Sequence, residues 1–108
     1  MGYRSDVAIG LKKEFVKDFE VIIKEDLGGG LVQVEGHAGF NLYFWEDVKW
    51  YTGCFPVVNA VMDFLHDLDD EDCGYVRIGE EFSDIEVEGF YWEFSIDIHR
   101  QVVAGGLG

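Results

Sequence analysis

Apolar residues along this chain switch repeatedly between a spacing of two and a spacing near 3.6, and that switching most narrows what it can fold into. Val7, Ile9 and Leu11 alternate with Asp6, Ala8 and Gly10, the mark of a strand with one apolar face. The period then lengthens. Phe15, Phe19, Ile22 and Ile23, with Val16 and Leu27 beside them, fall on one side of a helix. Lys13, Glu14, Lys17, Asp18 and Glu20 fall on or near its wet side. Gly28 to Gly30 end that helix, because glycine accepts the left-handed turn at a helix C-terminus.

Two strands follow, Leu31–His37 and Phe40–Trp45, joined around Gly36 to Gly39. Phe40, Leu42 and Phe44 share one face of the second; Tyr43 and Trp45 share the other. Pro56 suits the first position of a second helix, whose apolar stripe is Val57, Val61, Phe64, Leu65 and Leu68. Gly74 leads into a fourth strand, Tyr75–Gly79. From Tyr91 to Val103 alternation returns: Trp92, Phe94, Ile96 and Ile98 point one way, Tyr91, Glu93, Ser95, Asp97 and His99 the other, which predicts a last strand.

Strand, helix, strand, strand, helix, strand, strand predicts an α+β two-layer sandwich, with ferredoxin-like βαββαβ order and an extra C-terminal strand. At 108 residues the chain makes one domain, taken as residues 1–103, with 104–108 as a frayed tail. Apolar residues make up 48%, enough for a real core despite the charge.

The charge narrows function. Twenty-two acids against eight bases give −14. A field of that sign repels phosphate backbones and anionic membranes, so direct nucleic-acid binding and membrane attachment are not expected. It favours a basic partner. Between Asp63 and Asp97 stand thirteen acids and one base, Arg77, for −12, while the first 62 residues carry −3. Carboxylates at a helix C-terminus oppose the helix dipole by about 0.3–1 kcal/mol each. Asp67, Asp69, Asp70, Glu71 and Asp72, placed after the second helix, therefore do not serve that helix. They serve either solvation or a basic partner. Glu80, Glu81, Asp84 and Glu86 extend the same candidate surface. Tyr43, Trp45 and Trp50, with Tyr51 nearby, are candidate apolar anchors if no helix covers their side of the sheet. If one does, they fill a second core or a dimer interface.

Signatures of chemistry are weak. Asp69 to Glu80 has the outline of a calcium loop, but Cys73 stands where an oxygen ligand belongs and a strand follows instead of a helix. His37, His66 and His99 are isolated, and no HExxH or paired-cysteine zinc spacing occurs. The Gly28–Gly30 run lacks the Lys-Ser/Thr of a P-loop, and no GxSxG is present. Cys54 near a helix start has no identifiable base. Cys54 and Cys73 leave one bridge open. No enzyme, cofactor or metal is expected. The N-terminal stretch MGYRSDVAIG has no apolar core of signal length, which points to the cytoplasm.

The opening Gly2 to Ile9, the Phe44–Tyr51 stretch and the segment Asp63–Gly89, with its Arg-Ile-Gly-Glu followed by Asp-Ile-Glu, resemble a family of small acidic bacteriophage and prophage proteins of uncharacterised function. The resemblance covers most of the chain and carries over no site residue. It implies a phage accessory protein in the bacterial host cytoplasm, a setting that includes inhibitors of host defence, some of them DNA mimics. The expectation is a binding protein that inhibits a basic host protein that handles nucleic acid or acts in defence. The alternatives are a structural homo-oligomer, down to a homodimer, and a small-ligand sponge.

Overall fold

The computed structural model describes residues 4–23, 31–50, 56–81, 84–94 and 96. The chain runs β1 (Ser5–Lys12), α1 (Lys13–Ile23), β2 (Leu31–Gly36), β3 (Phe40–Val48), α2 (Pro56–His66), β4 (Cys73–Gly79) and β5 (Ile85–Gly89), then a 3-10 turn, Tyr91–Phe94. The strands form one antiparallel sheet in the order β2-β3-β1-β4-β5. The fold is thus α+β, with two helices and an antiparallel sheet. β1 lies at its centre and is buried along nearly its whole length.

Alternation along β1 divides the interior in two. Val7, Ile9 and Leu11 point to the helical side, where they meet Phe19 of α1 and Val58, Val61, Met62 and Leu65 of α2. Ala8 points the other way and packs with Leu42, Phe44, Val76, Ile78, Phe94 and Ile96. The even spacing of Phe40, Leu42 and Phe44 places them on that second side, with Phe40 at its margin.

Two expectations are corrected here. Tyr43, Trp45 and Trp50 are not surface anchors: each is at most 5% exposed. Tyr43 and Trp45 pair with Ile9 and Val7 and so share their side, which α1 and α2 cover; Trp50, just past the end of β3, packs into the same layer against Trp45 and Tyr75. Their rings form a chain across the sheet, with Trp45 5.5 Å from Trp50 and Trp50 6.4 Å from Tyr75. Tyr51 and Cys54 lie outside the described residues.

The second correction concerns the last element. Tyr91–Phe94 is a 3-10 turn and not the start of a strand. The fifth strand comes earlier, at Ile85–Gly89, and pairs with β4. The apolar spacing of Trp92, Phe94 and Ile96 reflects a crossing beneath the sheet: Phe94 and Ile96 are buried there, whereas Trp92 is 59% exposed. Ile98 and His99, the 28–30 glycines, and the tail 104–108 lie outside the described residues.

Gly74 makes that crossing fit. A Cβ added there would stand 2.5 Å from the Tyr91 Cα, a backbone atom with little room to retreat. Gly74→Ala is therefore expected to cost about 1–3 kcal/mol through overpacking. The loss should appear first as faster hydrogen exchange around Tyr91–Phe94, before β1 loses protection. The register shifts at two places, one of them between Leu31 and Gln33 of β2; at the other, between Ser5↔Val48 and Val7↔Trp45, β3 carries an extra residue, and Asp47 takes a left-handed φ of 57°. Its amide donates to Asp6 Oδ1 at 2.9 Å.

Candidate functional site

The lone base of the acidic segment organises its surroundings. Arg77 lies on β4 with its side chain only 9% exposed. It donates to Asp84 through two nitrogens (2.7 and 3.2 Å), to Glu86 Oε1 at 3.1 Å, and to Ser5 Oγ at 2.9 Å. Tyr75 donates to the same Glu86 oxygen at 3.2 Å. Burial alone would lower the guanidinium pKa, but the bonds to Glu86 and Asp84 outweigh it and hold it above its ordinary value. Arg77 thus ties β1, β4, β5 and the turn before β5 into one knot. Asp84 and Glu86, expected as partner contacts, are partly engaged inside the protein.

The remaining acids do not form one patch. Asp67, Asp69, Asp70, Glu71 and Asp72 lie in the turns between α2 and β4, beyond the helix end at His66. Glu80 and Glu81 follow the far end of β4. Seven strand residues at about 3.3 Å rise set these clusters roughly 20 Å apart. Glu88 and Glu86 bridge the gap along β5, giving an acidic rim beside the outer edge of the sheet.

Within the first cluster the groups differ. Lys12 sits 3.3 Å from Asp72 and 3.9 Å from Glu71, so those two are partly neutralised. Asp67, Asp69 and Asp70 are exposed. His66 stands 3.4 Å from Glu88. At the other end Glu80 Oε2 accepts the Arg4 amide at 2.6 Å. There a shallow polar hollow of about 220 Å³ opens between Arg4, Asp6, Asp47 and Glu80. Arg4 spans it by donating to the Asp47 carbonyl at 3.0 Å.

Apolar groups that sequence reasoning did not single out border this rim. Ile85, Val87, Phe90 and Trp92 are all exposed, and the Phe90 and Trp92 rings stack 5.3 Å apart. The signal for them in the sequence is the period two of Ile85-Glu86-Val87-Glu88, which the high charge of the run obscures.

No group of three or more His, Cys, Asp or Glu side chains placed to hold a metal occurs among the described residues. Cys73 is buried, with its thiol 3.8 Å from the Leu65 carbonyl. Burial first, then the carboxylates of Asp70, Asp72 and Glu88, push its pKa up to about 11. An unfolded thiol ionises near 8.5. Above that pH the unfolded chain has shed a proton the folded chain retains, so stability is full below the unfolded value and falls as pH rises toward about 11. In a Cys54→Ser background, Cys73→Ala should flatten that alkaline slope in urea unfolding followed by circular dichroism.

No family model matches the chain, and neither a curated protein nor a solved structure shows significant similarity to it. No helix among the described residues is long and apolar enough to cross a membrane.

Proposed function

We propose that this chain is a non-enzymatic binding protein whose acidic rim captures a basic partner, and that it serves as a phage accessory protein inhibiting a nucleic-acid-handling or defence protein of the bacterial host. The supporting observation is the course of the rim. Carboxylates at both ends of β4 and along β5 run for roughly 20 Å and outnumber the cations paired with them, Lys12 and Arg77. Such a surface steers a basic groove toward itself and competes there with phosphates. The order β4-β1-β3-β2 of the first four strands supports reading the fold as ferredoxin-like, with β5 added beside β4. That architecture alone favours no activity.

The test is retention from a bacterial lysate in low and high salt, with Asp67→Asn/Asp69→Asn/Asp70→Asn/Glu88→Gln as the control. A nucleic-acid-handling protein held by the native chain, released by salt and lost in the control supports the reading. Retention indifferent to both salt and the four substitutions overturns it. Self-assembly is the second reading, favoured by the exposed Phe90–Trp92 stack. The sheet face that carries Tyr43 and Trp45 is internal and offers no surface for it. A stable oligomer that Trp92→Ser dissolves, with no host protein retained, would put assembly first.

A further inference from the structure

β5 is the outermost strand on its side of the sheet, and among the described residues only β4 pairs with it. The Gly79 amide donates to the Asp84 carbonyl at 2.8 Å, which fixes the phase of the antiparallel ladder. Arg77↔Glu86 and Tyr75↔Glu88 then exchange the inward hydrogen bonds. Ile85 and Val87 fall at the alternate positions, so their amides and carbonyls point away from β4. Edge strands with such unpaired groups accept an added strand.

The side chains set what that strand must carry. Paired residues of an antiparallel ladder share a face, so Glu86 and Glu88 lie on the side of Arg77 and Tyr75, and Ile85 and Val87 on the side of Ile78 and Val76. Ile85 and Val87 are 41% and 46% exposed, since no described residue continues the apolar layer past them. Arg77 and Tyr75 both use Oε1 of Glu86, and His66 approaches Oε2 of Glu88, so among the described residues the other oxygen of each carboxylate is not engaged.

We propose that the outer edge of β5 is a strand-docking site for an extended segment of a basic partner protein in which basic and apolar side chains alternate. This rests on the acidic-capture reading and names how the partner is gripped. Lysines or arginines of the added strand meet Glu86 and Glu88 on one face, while its apolar residues extend the layer of Ile85 and Val87 on the other. Asp67, Asp69 and Asp70 at one end, and Glu80 at the other, attract the flanking basic chain. A second copy of β5 is disfavoured, because antiparallel self-pairing about Val87 sets Glu86 against Glu88 of the other copy.

The test uses the isotope-labelled full chain and three synthetic peptides: alternating Lys-Val, the same composition in blocks, and alternating Glu-Val. Alternating Lys-Val should shift the Ile85 and Val87 amides and slow their hydrogen exchange. The block peptide should bind more weakly, and Glu-Val should not bind. Val87→Pro removes an amide that faces outward and leaves the β4 ladder bonded. It should weaken Lys-Val binding about tenfold, the order expected for losing strand hydrogen bonds. Unchanged β4 amide shifts show that the variant is folded. Glu88→Gln is the second variant, and should weaken binding while keeping the same shift pattern. If alternating and block peptides bind alike, shift only Asp67–Asp72 and ignore Val87→Pro, edge docking is overturned while acidic capture stands. If neither lysine peptide binds, both ideas fall.

Discussion

Trp45→Ala lowers the free energy of unfolding by about 3–5 kcal/mol, the cost of emptying a large buried aromatic site. Trp45 is 1% exposed and sits in the aromatic chain that joins Tyr43 to Trp50 beneath the helices. Trp45 sits in the layer between the sheet and the two helices, where close packing lets the surroundings collapse into the gap only in part. A domain of this kind has about 5–15 kcal/mol in total, so the variant stands near the folding threshold. One term runs the other way. The Trp45 indole N–H is buried with no hydrogen-bond partner among the described residues, so removing it relieves a desolvation cost. Trp45→Phe keeps most of the ring, drops that N–H, and should cost only about 1 kcal/mol. Urea unfolding followed by circular dichroism measures both. Equal losses for the two variants would mean the side chain is not packed as described.

Arg77→Ala is expected to cost about 2–3 kcal/mol. Breaking a buried ion pair costs about 3–5 kcal/mol when the orphaned partner stays dry. Here the Asp84 and Glu86 side chains are 33% and 56% exposed and regain water, which reduces the penalty. The loss should be local before it is global. Exchange at the Glu86 and Glu88 amides, which bond inward to β4, should quicken more than exchange in β1. Arg77→Met, which keeps the buried stem, should recover part of the stability but leave Asp84 and Glu86 without their cation. A uniform loss of protection across the sheet would show that Arg77 does not hold β5 in particular.

Local spacing made most of the framework legible. β1, and β3 up to its bulge, sort their residues onto two faces by parity, and α2 begins at Pro56 as expected, but its buried face is Val58, Val61, Met62 and Leu65, with Val57, Phe64 and Leu68 only partly buried beside it. What spacing could not convey was which face each helix covers. Tyr43, Trp45 and Trp50 have the composition of a binding surface, and only the placement of α1 and α2 over their side makes them core. Trp92, Phe94 and Ile96 failed for a related reason. Only Phe94 and Ile96 pack beneath the sheet, beside a partly buried Tyr91 and with Gly74 making room, while Trp92 stays exposed, so the even spacing there does not reflect a strand pleat. For the acids, sequence located the charge but not its geometry: a run continuous in sequence is split by β4 into two ends and a bridging edge. The intramolecular use of Asp84 and Glu86 depends on Arg77 turning inward beside Ser5, a contact across 72 residues that no local pattern records.

The acidic rim is proposed to occupy a surface of the host protein that otherwise takes phosphates. The most direct measurement is competition: a retained host protein is loaded with labelled duplex DNA, and this chain is titrated in while fluorescence anisotropy follows the DNA. The account requires the native chain to displace the DNA, and Asp67→Asn/Asp69→Asn/Asp70→Asn/Glu88→Gln to displace it far less well. A ternary complex, with the DNA and this chain bound to the host protein together, would contradict it.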